Sequence, residues 1–149
     1  MASRARVLSK AYRLPPGVVA ALEGVFHESV DAVTVIEYSR YARLHVGMTA
    51  TTRRNRILLA ISGEQFVARP ELVLHEYFHV LRQWGTGSLT RWRYLAESFR
   101  RGYWDNRFEQ EAREFTALHL DWFRVCLEQE RPDEASGRRD PARRNALLE

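Results

Sequence analysis

Apolar residues recur along this chain with two different periods, and each period marks a kind of element. Val18, Leu22 and Val25 share one helical face, which predicts a short helix over residues 18–26 after the breaker cluster Leu14-Pro15-Pro16-Gly17. Ala32-Val33-Thr34-Val35-Ile36 is β-branched and predicts a strand. Ile57-Leu58-Leu59-Ala60-Ile61 predicts a second strand, closed by Ser62-Gly63. Residues 40–46 are compatible with a short helix, and residues 47–54 read as a turn.

Helical signals dominate the second half. Pro70 suits the first position of a helix and Glu71 its first turn; the helix is expected to reach Trp84, where Gly85 stops it. Another helix is expected over residues 89–101, ended by Gly102. Asp105 or Asn106 then caps a long final helix running to Glu130. Its apolar residues (Phe108, Phe115, Leu118, Leu120, Trp122, Phe123, Val125) cover more than one face, which predicts extensive burial. Strands first and helices after them indicate an α+β fold: a short β-sheet packed on the helix around residue 75 and on the long C-terminal helix. The strand ending at Ile61 is expected beside the residue-75 helix at the sheet edge, where an extended peptide could pair.

Composition sets the outer limits. A chain of 149 residues with 45% hydrophobic content fits one globular domain. Residues 1–13 read as a basic extension, 14–130 as the domain, and 131–149 as a charged, mobile tail. No apolar run is long enough to span a bilayer, and no apolar segment follows the basic residues 1–10 as a secretory signal requires. The expected location is cytoplasmic, with export by a non-classical route left open. Cys126 is the single cysteine, which excludes an internal disulfide and a cysteine-built zinc site. Net charge is +4, and Lys10 is the only lysine among 23 basic residues. The arginines are spread along the chain rather than gathered in a stripe, which argues against nucleic acid as the partner.

The chemistry is concentrated in His75-Glu76-Tyr77-Phe78-His79. Histidines at i and i+4 lie one turn apart on the same helical face, so both imidazoles can reach one zinc ion. Glu76 is displaced around the helix and can serve as general base toward an attacking water. The motif lies inside the apolar runs Leu72-Val73-Leu74 and Val80-Leu81, where two histidines and a glutamate are costly to bury without a metal. The reaction class is metal-assisted hydrolysis, most often of a peptide bond, with Zn2+ as cofactor and a peptide or protein as substrate.

Catalytic zinc takes three protein ligands. A third histidine three residues beyond a glycine is excluded, because Arg82 and Gly85 occupy those positions. Glu109 is the leading candidate: its helical face also carries Ala112, Thr116, Leu120 and Leu127, a stripe suited to close packing on the metal helix. Asn106-x-x-Glu109 also matches a capping box, which would turn Glu109 back to the backbone. Glu111, His119 and Asp105 stay open as alternatives.

The order of several segments resembles a known family. Leu14-Pro15-Pro16, Ala50-Thr51-Thr52, Leu74-His75-Glu76-Tyr77-Phe78-His79-Val80 with Gln83, and Phe108-Glu109-Gln110-Glu111-Ala112 follow one another as in the core domain of proteins associated with extracellular contractile injection systems, a bacterial zincin-like domain. The chain also resembles the wider gluzincin class of thermolysin-like peptidases, over residues 14–120. The resemblance implies His75, His79 and Glu109 as zinc ligands and Glu76 as base. It implies a small zincin-like metallopeptidase, or else a weakly active zinc-bearing module for interaction or delivery, with contractile injection system components as partners. One position departs from the pattern. Arg113 stands where an acidic or amide residue orients a zinc histidine, and arginine cannot accept a hydrogen bond. Another acceptor is therefore required. Tyr94, Tyr103 and His119 are candidate transition-state donors, and the segment from Trp92 to Trp104 is a candidate groove lining or a packed helix with a solvated arginine face.

Overall fold

The computed structural model describes residues 10–44, 48–87 and 106–130. The fold is α+β, as the order of the periods predicts. Strands β1 (Lys10–Tyr12), β2 (Thr34–Glu37), β3 (Ala50–Arg53) and β4 (Arg56–Leu59) form one sheet in the order β1-β2-β4-β3. β2 and β4 are parallel in the centre, and both outer strands are antiparallel to their neighbours. The helices are α1 (Pro16–Phe26), α2 (Arg40–Leu44), α3 (Gly63–Val67), α4 (Pro70–Phe78) and α5 (Arg107–Gln129). A π-helical turn, His79–Trp84, continues α4.

Local chemistry accounts for the differences from the expectations. Lys10–Tyr12, expected within the basic extension over residues 1–13, is a strand in register with β2. Three residues carry too little period for the pattern to show. The segment read as a turn over residues 47–54 contains β3, whose Thr51 and Thr52 are β-branched but polar. Asn55, with φ 59°, supplies the left-handed position in the tight connection to β4. β4 is consequently an interior strand, and β3 takes the sheet edge near α4. Ser62-Gly63 does more than close β4: Ser62 and Gln65 form a capping box that starts α3. Gly63 is required there, since a Cβ would overlap the Tyr12 ring.

α1, α4 and α5 pack together around one core with the sheet. Leu22, Phe26, Ile57, Leu59, Phe66, Leu74, Tyr77 and Phe123 are almost wholly removed from water. Pro70 opens α4 as expected, with Glu71 in its first turn. α5 begins after Asn106, whose side chain accepts from the Phe108 N–H at 2.9 Å. The expectation that α5 is largely buried needs correction. Leu118, Trp122 and Val125 form an exposed apolar row on the face opposite Glu109, with exposures of 79%, 56% and 42%. The expected helix over residues 89–101 and the tail over 131–149 lie outside the described residues, as do Tyr94, Tyr103 and Asp105. No helix among the described residues is long and apolar enough to cross a membrane.

Candidate metal centre

Two helices meet at this site. His75 and Glu76 come from the end of α4, His79 opens the π-helical turn, and Glu109 comes from the first turn of α5. The α4–α5 contact works because α5 presents Ala112 and Thr116 beside Glu109, small side chains that let the helices approach. Among the described residues, His75, His79 and Glu109 are the cluster able to hold a metal ion.

The spacing fits a tetrahedral ion. His75 Nε2 and His79 Nε2 are 3.1 Å apart, His75 Nε2 and Glu109 Oε2 3.2 Å, and His79 Nε2 and Glu109 Oε1 3.5 Å. Ligand atoms about 2.0–2.1 Å from a tetrahedral zinc lie about 3.3–3.4 Å from one another. The donor set, two imidazoles and a carboxylate, is also one that zinc accepts.

Gln83 fixes the direction of one of these donors. Its Nε2 donates to the Phe108 carbonyl at 2.9 Å and to Glu111 Oε2 at 3.0 Å. Its Oε1 therefore faces His79 and accepts from Nδ1–H at 2.6 Å. With that proton on Nδ1, Nε2 turns a lone pair toward His75 and Glu109. Lone pairs aimed at one point repel unless a cation or protons lie between them. Gln83 is thus the acceptor that Arg113 cannot be. It sits four residues beyond His79 in the π-helical turn, whose register shows in the Gly85 N–H bonding back to the Val80 carbonyl at 2.8 Å. Such turns often occur at functional sites. The sequence carried Gln83 at a fixed offset from the motif, but nothing in the period assigned it a role.

Electrostatics follow from burial and closeness. Burial raises the Glu109 carboxyl, but the hydrogen bonds and charges of His75 and His79 outweigh it and hold the group below the ordinary carboxylate range. Burial alone would lower His79; the bond to Glu109 and the charges of Glu76 and Glu109 raise it instead. Glu76 is pushed above the ordinary range, chiefly by burial, against the attraction of His79 and His75. A carboxylate raised in this direction holds a proton more readily than an exposed one, which suits a proton-transfer role.

The other candidates have different work. Glu111 holds Gln83. His119 donates from Nδ1 to the Phe115 carbonyl at 2.9 Å and stacks on the Phe115 ring, apart from the cluster. Arg113 lines a groove of about 1060 Å³ that opens onto His75 and Glu76. Thr49 and Ala50 of the β3 end, the start of α4, and one face of α5 complete its walls. Arg69 and Arg124 also line it, and no motif in the sequence marked them. No family model, curated protein or solved structure matches this chain.

Proposed function

We propose that this chain is a zinc-dependent metallopeptidase, with His75, His79 and Glu109 as the metal ligands and Glu76 as the general base. The supporting observation is the convergence of three donors at 3.1–3.5 Å next to a buried carboxylate at the floor of a groove. Zinc held there would lower the pKa of a coordinated water to about 7 and draw charge from a substrate carbonyl.

The protein groups divide the remaining work. Glu76, buried beside the histidines, takes the proton of the attacking water and returns it to the leaving amine. Gln83 keeps His79 in one tautomer and one orientation. β3, as the outer strand, borders the groove and can lie alongside an extended peptide. Glu76→Gln tests the reading. Zinc-loaded wild type should cleave members of a peptide library, while the variant keeps zinc and loses about 100-fold or more in rate. Equal cleavage by both would remove Glu76 from the mechanism.

A second reading is a zinc-bearing module that binds partners with little turnover. The exposed row Leu118, Trp122 and Val125 favours it, since such rows often mark contact faces. On this reading the partners are contractile injection system components, which is what the sequence resemblance implies.

A further inference from the structure

α4 borders two hollows of the molecule. His75 and Glu76 line the groove at the metal cluster. Tyr77, about 100° further round the helix than Glu76, lines a second cleft of about 680 Å³. No described residue lines both. The second cleft lies between β1, the start of α1 and the segment that leads into β2. Its lining grades inward: Arg13 and Asp31 are exposed, Val19 and Val33 half-buried, and Val35 and Tyr77 buried. The first pair marks the mouth, the second the walls and the third the floor. Tyr77 is the one α4 residue among the described lining, so its side chain crosses the core and its far end, the hydroxyl, reaches the floor. That hydroxyl is shut from bulk water and has no hydrogen-bond partner among the described residues. A buried hydroxyl left unpaired costs stability, and at the foot of a cleft it is a position for a ligand's acceptor.

We propose that this cleft binds a small uncharged molecule with an apolar body and one carbonyl or hydroxyl oxygen, which accepts from the Tyr77 hydroxyl. The site depends neither on the metal nor on the peptidase reading. Its size falls in the range of small-molecule sites, about 300–1,000 Å³, and a mostly apolar wall with few polar groups is what such sites share. The charge of the ligand follows from the floor. Val30, Val35 and Tyr77 offer no charged partner, and an ion brought to them would lose its hydration without replacement. The half-buried Glu23 on the wall, whose Oε1 accepts from the Val30 N–H at 3.3 Å, adds a carboxylate that opposes an anion. Bulk water does not reach the hydroxyl, so a ligand meets it only by parting the side chains above it. Val19 and Val33, half-buried, are less confined than Val35 below them. The new bond satisfies a hydroxyl that folding leaves unpaired, which offsets the displacement.

The test is titration of the full-length protein with acetophenone, ethylbenzene, benzoate and benzylamine, probes of similar size, followed by the amide chemical shifts in NMR spectra. Acetophenone should bind with a Kd on the order of 1 mM, as suits so small a probe, and about fivefold more tightly than ethylbenzene. Benzoate and the benzylammonium ion should bind more weakly than either. The shifts should gather at Val19, Val33 and Val35 and spare Thr49 and Ala50 of the metal groove. Tyr77→Phe should keep ethylbenzene binding and erase the preference for acetophenone, a selective loss that a general change in packing would not produce. Ala20→Phe, which places a ring at the exposed edge of the cleft, should weaken both probes. Equal affinity for acetophenone and ethylbenzene in wild type, or a preference that survives Tyr77→Phe, would overturn the inference. Tighter binding of benzoate or benzylammonium than of acetophenone would also overturn it, as would shifts gathered on the metal groove instead.

Discussion

Gln83 Oε1 lies 2.6 Å from His79 Nδ1, and the Gln83 amide is locked in that orientation by two acceptors from α5. The candidate metal site and the helix–helix contact are therefore one network. Gln83→Leu removes the acceptor and the amide's added bond to the Phe108 carbonyl. Zinc affinity, measured by competition with a chromogenic chelator, should fall about 10- to 100-fold. An unchanged affinity would show that His79 is oriented by some other group.

Acid sensitivity is expected where β2 meets the start of α3. Glu37 is buried on β2, accepts from the Gly63 N–H at 2.8 Å and pairs with Lys10 at 3.2 Å. The Gly63 bond, with help from Lys10, lowers its pKa despite burial. A lowered carboxyl contributes stability above its unfolded value, about 4.3, and loses it as pH falls through the folded value. Glu37→Gln should flatten that part of the stability curve below about pH 4.5. A curve identical to wild type would mean that Glu37 is not a source of acid sensitivity.

Tyr77 presents a different case. Its hydroxyl is fully buried and has no hydrogen-bond partner among the described residues, and burial pushes the group above its ordinary pKa. Tyr77→Phe should therefore raise stability to urea by about 1 kcal/mol. A loss of similar size would mean that the hydroxyl has a partner, such as an ordered water.

Adjacent residues on α5 should differ sharply. Phe123 is 1% exposed and Trp122 is 56% exposed. Phe123→Ala should cost about 3–5 kcal/mol through the cavity it leaves. Trp122→Gln should change stability by no more than about 0.5 kcal/mol. A large loss at Trp122 would show that the exposed row is covered in solution.

The long elements were legible in the sequence because each repeats its period several times. α1, α4 and α5 buried the faces that Val25, Leu74 and Phe108 marked, although α5 left its Trp122 face open. β1 and β3 were not legible: Lys10–Tyr12 is too short to show a period, and Thr51 and Thr52 place polar groups where a buried strand would have apolar ones. α3 was marked by Ser62 and Gln65, a signal overshadowed by the end of the preceding strand. The grouping of His75, His79 and Glu109 could be anticipated from helical geometry and a matching stripe on α5. Gln83 and the arginine-lined groove could not, because each depends on how α4 and α5 meet rather than on either helix alone.

Metal content tests the central claim most directly. Purified protein, supplemented with zinc and then desalted, is analysed by mass spectrometry as wild type, His75→Ala, Glu109→Ala and His119→Ala. Wild type and His119→Ala should each carry about one zinc per chain, and His75→Ala and Glu109→Ala should carry little, as expected for a site with three protein ligands. Wild type without zinc, or Glu109→Ala retaining it in full, would contradict the proposed centre.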